Sequence, residues 1–265
     1  MNKQSTNSLF SLDYEKSIFN SEEFLKNVAV DNVIFGYHEK ELKVLLLRPG
    51  GYSKWTVTGG YVKKTESIDE AAARVANTRT GLSNLFFQQF RSFGTPERVK
   101  DPELTPELFT ERTGLQISAS HWIFDYYVSV AFYTLTEFSL VTVNKGPYDE
   151  EIAWKAIDQL PDLMFDHKEI ISEALKALRI HIYHYPVGYE LLPEKFTLPE
   201  IHNLYETILG KSLDSRNFTR KLMATGILKK LSETRSIGAH RSPFLYKFDK
   251  KKYDAALKNG MFVAF

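Results

Sequence analysis

The 265-residue chain contains no cysteine. That absence excludes disulfides, thiolate metal sites and cysteine nucleophiles, and it makes an intracellular, cytoplasmic location the simpler expectation. Long apolar runs are missing too. None approaches the roughly 20 residues that span a bilayer, and "MNKQSTNSLFSLDYEKSIF" lacks the apolar core of a signal peptide. Net charge is almost nil, +1 at neutral pH, and no repeat or low-complexity stretch is visible. What the chain has in quantity is core material. Hydrophobic residues make up 43% and aromatics 14%, enough for one large domain or two modest ones.

The small net charge hides an uneven distribution. Residues 186–265 carry 14 Lys/Arg against 8 Asp/Glu, which leaves 20 against 25 for residues 1–185. A basic C-terminal module facing a polyanion would produce this pattern, and so would a solvated basic surface.

Apolar and polar residues alternate on both sides of "YHEKE" in "NVAVDNVIFGYHEKELKVLLLRPG", predicting a β-hairpin of two strands of about eight residues each. "SKWTVTGGYV" predicts a short strand ending at Gly59-Gly60. Ser67 and Glu70 form a capping box that opens a helix, and Gly81 is placed to close it. "NLFFQQFRSFG" and "WIFDYYVSVAFYTLT" read as apolar strands. The polar, proline-containing segment between them, residues 95–120, reads as a long loop or short helical insertion. Ile170, Ala174, Leu175, Leu178 and Ile182 share one face of a later helix. Three prolines in "PVGYELLPEKFTLPE" mark a junction, giving an N-terminal extension (1–25), a first domain (26–185) and a second (186–265). In the second, two helical patterns precede two strands around a basic loop, the layout of a winged helix.

Gly60, Glu66, Arg74, Gly81 and Leu82 fall without a gap on the Nudix box, G-x5-E-x7-R-E-U-x-E-E-x-G-U. In that motif the acids of R-E-x-x-E-E share one helical face and bind magnesium, which polarises a diphosphate. Here the three positions carry Val75, Thr78 and Arg79. Valine offers no ligand oxygen, threonine is a poor ligand without carboxylate neighbours, and arginine is a fixed cation that repels a metal. No metal site and no cofactor is expected, and Arg74 paired with Glu66 reads as a structural brace.

In the second domain, "LDSRNFTRKLMATG" reads as a recognition helix. Phe218, Leu222 and Met223 are expected to pack inward. Ser215, Arg216, Asn217, Thr219, Arg220 and Lys221 are candidates for contact with bases or phosphates. Arg235, His240 and Arg241 belong to a proposed wing. The alternative is a helix and hairpin used for protein contacts.

A degraded Nudix box followed by a winged helix resembles the Nudix-related transcriptional regulators, the NrtR-like group. "WKAIDQLPDLMFDHKEIISEAL" and "ELLPEKFTLPEIHNLYETILGKSLDSRNFTRKL" also carry the likeness. The resemblance implies an α+β chain, with a Nudix-like α/β/α sandwich followed by a C-terminal winged helix-turn-helix domain. It implies a homodimer that binds double-stranded operator DNA and responds to a small molecule, ADP-ribose or a sugar such as L-arabinose. Candidate effector contacts, chosen by position, are Arg48, Trp55, Glu66, Arg74, Arg79, Arg91 and Tyr127. His167 matches the family pattern but begins a helix, where it can act in capping or packing. The 95–120 insertion is longer than expected for the group and is placed to reshape the pocket. The rival reading is a hydrolase of nucleoside diphosphate derivatives whose metal ligands have moved, with Glu97, Asp101, Glu103 and Glu107 as the available acids.

Overall fold

The computed structural model describes residues 22–83, 85–114, 116, 118–146, 149–236 and 242–261. The chain divides into two compact units. The first draws on residues up to Ile34, Val44–Thr134 and Val141–Ser172, and the second on Phe35–Lys43, Leu135–Leu140 and Glu173 onward.

The hairpin consists of β1 (Phe24–His38) and β2 (Glu41–Pro49). It is longer than the alternation alone predicts, because β1 continues through a bulge between Phe24 and Ala29. β3 (Thr58–Lys63) starts where the sequence predicts a strand to end, and it runs through both glycines rather than stopping at them. Trp55 and Thr56 make only isolated bridges, to Leu163 and Leu47. With β4 (Phe87–Phe93), β5 (Val128–Glu137) and β6 (Asp149–Ala156), these strands form a sheet ordered β4-β5-β1-β2-β6, with β3 paired to β1. The apolar start of the predicted β5, Trp122–Phe124, is instead a 3-10 turn capped by His121.

Helix α1 (Ile68–Thr80) has both halves of its capping box: Ser67 accepts from the Glu70 N–H, and Glu70 accepts from the Ser67 N–H. Gly81 ends it at φ 70°, a left-handed conformation that favours glycine. Its inner face, including Ala71, Ala72 and Val75, packs into a cluster with Val30, Val62, Val130 and Phe132. The insertion contains helix α2 (Pro106–Thr113), capped by Thr105. In helix α3 (His167–His181) the predicted stripe is buried at Ile170, Ala174 and Leu178, with Ile182 just beyond it and Leu175 half-buried.

In the second unit, β7 (Phe196–Thr197) leads into α4 (Leu198–Leu209) through a second capping box, Thr197 with Glu200. Asp214 caps α5 (Ser215–Ala224) by accepting the Asn217 N–H at 2.8 Å. β8 (Leu228–Thr234) and β9 (Phe244–Phe248) complete a three-stranded sheet ordered β7-β9-β8. Phe218, Leu222, Leu204, Tyr205 and Ile208 are buried, and the Tyr205 and Phe218 rings meet at 5.1 Å. Truncating a core phenylalanine of this kind costs about 3–5 kcal/mol. Met223 departs from expectation: it is 37% exposed, because the α5 face turned inward is filled by Phe218 and Leu222. A further helix, α6 (Lys250–Asn259), follows and buries Tyr253.

Candidate functional site

The retained residues of the Nudix box form a brace. Arg74 donates from Nε and Nη2 to the two oxygens of Glu66 at 2.9 and 2.7 Å, and from Nη2 to the Tyr61 carbonyl at 2.8 Å. Glu66 also accepts the Lys63 N–H at 2.8 Å. Burial by itself raises the Glu66 pKa, but Arg74 and the Lys63 N–H outweigh it and hold the carboxyl below its ordinary range. Both oxygens are therefore committed to the loop–helix joint.

The three metal positions have separate fates. Val75 is 6% exposed and lies against Gly60, where an added Cβ would come within 2.8 Å of its Cγ2. Thr78 donates back to the Arg74 carbonyl at 2.9 Å. Arg79 is ion-paired with Asp149, which also accepts the Gly146 N–H at 2.6 Å. Among the described residues, no group of three or more His, Asp or Glu side chains is placed to hold a metal ion. Of the insertion acids, Asp101 pairs with Lys54 at 2.9 Å, Glu103 with the Ser53 N–H and Arg112, and Glu97 with Lys100. Glu107 lies in the first turn of α2.

A cleft of about 220 Å³ lies beside this face, lined by Asp31, Gly59, Gly60, Tyr61, Arg79, Tyr127, Phe165 and His167 among others. The register Asp31↔Gly59 sets its floor. A Cβ on Gly59 would sit 2.6 Å from Asp31 Oδ1, so glycine keeps that side chain's place open. Arg98, its side chain fully buried, donates to Asp31 Oδ2 at 3.2 Å and to both oxygens of Asp166 at 2.9 Å. Its guanidinium lies 4.9 Å from the Tyr127 ring centroid. His167 accepts the Val57 N–H on Nδ1 at 3.2 Å. Burial drives its pKa below the ordinary value, against the pull of Asp31 and Asp166, so the imidazole is neutral.

Among the candidate effector contacts, Arg79 and Tyr127 line the cleft, and Glu66 with Arg74 braces its edge. Arg48 lies elsewhere, bound to Glu150 and Glu151 at 2.9 and 3.3 Å, with Trp55 buried beneath it and Lys155 4.1 Å from the indole centroid. Arg91 projects from β4 and meets Glu169 at 3.4 Å. Asp31, Arg98 and Asp166 escape the sequence reading. An acid within the apolar run "NVAVDNVIF" is the one signal that marks Asp31.

In the second unit, Ser215, Arg216 and Arg220 are exposed on the early turns of α5, and Asn217 and Thr219 are half-buried. Arg220 donates to Asn217 Oδ1 at 2.8 Å, an intrahelical bond that pre-positions both side chains on one face. Lys221 is half-buried. This helix follows α4 across a short turn and precedes a β-hairpin, the geometry that offers a second helix to a major groove.

Residues 188–248 match the family model described as the NrtR DNA-binding winged helix domain. Along 257 residues the chain is 26% identical to the "ADPR responsive transcriptional repressor NtrR" of Acinetobacter baylyi, covering 94% of this chain and 91% of the relative. It is similar to the crystal structure of Shewanella oneidensis NrtR complexed with a 27mer DNA (24% identity, 86% and 96% coverage, TM-score 0.67). It is also similar to that of a MutT/nudix family protein from Enterococcus faecalis (20% identity, 93% and 95% coverage, TM-score 0.59). The fold is thus Nudix-like with a winged helix, as the residue pattern implies.

Within the winged helix, Arg235 is engaged by the domain itself. It donates to Glu200 Oε1 at 2.8 Å and to the Lys195 carbonyl at 2.7 Å, clasping β8 to the start of α4. His240 and Arg241, the other two wing candidates, lie outside the described residues. No helix among the described residues is long and apolar enough to cross a membrane.

Proposed function

We propose that this chain is a transcriptional repressor that binds operator DNA through its winged helix and is released by an ADP-ribose-like effector held in the Nudix-like cleft. The reading rests chiefly on one pairing: an NrtR winged helix domain in the same chain as a Nudix box with Val75, Thr78 and Arg79 at its metal positions. Kinship over nearly the full length with an ADPR responsive repressor supports it. In this reading residues 26–185 sense and residues 186–265 bind DNA, and a homodimer sets the spacing of two recognition helices on a near-palindromic site. Arg216 and Arg220 contact guanine edges or phosphates. The effector acts by binding more tightly to the arrangement with the wrong spacing, and DNA affinity falls by that difference.

The same reading holds that magnesium-dependent hydrolysis has been lost. A valine packed against the strand, a hydroxyl turned back on its own helix and a cation leave a divalent ion nothing to bind on this face. Gel shifts with the chain's own upstream duplex test the regulator, with ADP-ribose and L-arabinose added in parallel. A specific complex dissolved by ADP-ribose is expected. Absence of any specific complex at moderate salt overturns the proposal, and magnesium-dependent release of AMP from ADP-ribose overturns the loss of catalysis.

A further inference from the structure

Beyond residues 188–248 the chain continues into α6, and the charge there is one-sided. The base of the β8–β9 hairpin and α6, residues 226–232 and 245–259, contain seven lysines and two aspartates. Both aspartates are engaged within the domain: Asp249 pairs with Lys229 at 3.0 Å and Asp254 with Lys250 at 2.5 Å. Lys230 covers the Phe244 ring, 3.6 Å from its centroid. Lys247, Lys251, Lys252 and Lys258 form no salt bridge among the described residues.

These charges begin where α5 ends. The turn after α5 runs through Gly226, and a Cβ added there would lie 3.2 Å from Lys252 Nζ. The Asp249 N–H, at the α6 N-cap, donates to the Ile227 carbonyl at 2.7 Å, so α6 starts against that turn. Lys229 and Lys247 are partners in the strand register, next to the pair Leu228↔Phe248. Leu228 and Phe248 are buried, so strand alternation turns the two lysines to the outer face of the hairpin. Along α6, Tyr253 faces the core, while Lys251, Ala255 and Lys258 are exposed at spacings i, i+4 and i+7, one outward row. At the helical rise that row is about 10 Å long.

We infer that α6 and the hairpin base form a second DNA contact, a row of lysines that grips backbone phosphates flanking the groove entered by α5. The inference rests on the operator binding proposed above. Its partner follows from the chemistry of the surface. Protein interfaces are depleted in lysine and anchor on aromatic side chains, and a helix that lies on a membrane needs an exposed apolar face. No large apolar side chain of α6 is exposed. Lysines are point charges on flexible stems, suited to phosphates that fix a protein's position without conveying sequence.

The test is fluorescence anisotropy of the full chain with its own upstream duplex and with a scrambled duplex, across a series of salt concentrations. One variant combines Lys251→Gln, Lys252→Gln and Lys258→Gln, and a second replaces the same three lysines with arginine. Glutamine matches lysine in helix propensity, and circular dichroism melts check folding. If the glutamine variant fails to fold, Lys251→Glu with Lys258→Glu, both on the exposed row, puts the same question. The glutamine variant should bind both duplexes roughly tenfold or more weakly, with a salt slope shallower by about 2–3 per protomer. Preference for the upstream duplex should stay within about twofold of native, since phosphates carry no sequence information, and the arginine variant should bind like the native chain. Native affinity and slope in the charge-removing variant, or an arginine variant as weak as the glutamine one, overturns the inference and leaves operator binding standing. Lost binding to vesicles of equimolar phosphatidylglycerol and phosphatidylcholine, with duplex binding intact, would overturn it in favour of a membrane surface. A native chain that binds neither duplex overturns the inference together with the operator reading on which it rests.

Discussion

Replacing Arg74 with alanine separates a brace from a ligand contact. The change removes three charge-assisted hydrogen bonds, two to Glu66 and one to the Tyr61 carbonyl. Glu66, with a side chain only 12% exposed, is left with the Lys63 N–H alone. Fully buried, a broken pair of this kind costs about 3–5 kcal/mol. Arg74 is 34% exposed, so solvent screens part of that, and about 2 kcal/mol is the reasonable expectation. For a domain of this size that is a drop of about 4–8 °C in Tm. All three tryptophans, Trp55, Trp122 and Trp154, belong to the first unit, so urea unfolding followed by tryptophan fluorescence reports on the affected unit directly. The pH dependence provides a second check. Glu66 has a folded pKa below its unfolded value of about 4.3. Its stabilisation is therefore present above that value and lost as pH falls through the folded pKa. The gap between native and Arg74→Ala proteins should be full at pH 6 and should shrink below about pH 4. Unchanged stability together with a tenfold or greater loss of ADP-ribose affinity would refute the brace and make Arg74 an effector contact.

Four further outcomes follow from the same geometry. Gly60→Ala should destabilise the first unit by about 1–3 kcal/mol through the clash with Val75. That penalty should shrink when Val75→Ala is added, and an unchanged penalty in the double-mutant cycle would locate the strain elsewhere. Arg216→Ala with Arg220→Ala should weaken operator binding about 100-fold or more, at 1–3 kcal/mol for each contact, with an unaltered melting curve; retained affinity would mean that another element reads the DNA. Arg235→Ala should lower winged-helix stability by about 1 kcal/mol, since both it and Glu200 are more than a third exposed. A steep loss of operator affinity without a change in melting would assign Arg235 to phosphate instead. His167 has a folded pKa below its ordinary value of about 6.5, so its contribution is held above that pH and lost as pH falls. The urea midpoint should therefore drop more between pH 7 and 5 in the native chain than in His167→Gln, and parallel drops would exclude His167 as the source.

What the sequence discloses and what it hides divide along the range of the interactions. The caps of α1 and α4 depend on residues three apart, so Ser67 with Glu70 announces its helix before any fold is known. The α5 pattern is equally local, and of its three residues expected to pack inward only Met223 is exposed, because a helical wheel does not say how wide the buried stripe is. Helix α6 is hidden by its composition, since "KKKYDAALKN" buries just one large side chain, Tyr253. The cleft is harder still. Arg98 meets Asp31 and Asp166 across 67 and 68 residues, and nothing near Arg98 distinguishes it from any other arginine in a polar loop. Sheet register brings Asp31 to Gly59, and register is a property of the assembled strands rather than of either one.

On the proposed reading, the residues at the three motif positions bear on how a sensor could work. A glutamate at position 75 would put a carboxylate into the cluster of Val30, Val62, Val130 and Phe132, where an unpaired charge costs several kcal/mol. The valine therefore contributes to the packing of α1, and it offers no ligand oxygen. At the other end of the helix, the Thr142 and Asn144 N–H groups donate to the carbonyls of Thr80 and Arg79 at 3.1 and 2.9 Å, and the Arg79–Asp149 pair adds a side-chain tie to the same stretch. An anion entering the cleft thus meets an arginine that is already paired, and its affinity includes the cost of sharing or loosening that pair. A hydrolase gains nothing from such an arrangement, because its acids must be free to take a metal. In the proposed regulator such a cost matters, because an effector shifts an equilibrium only by the difference in its binding energy between two states.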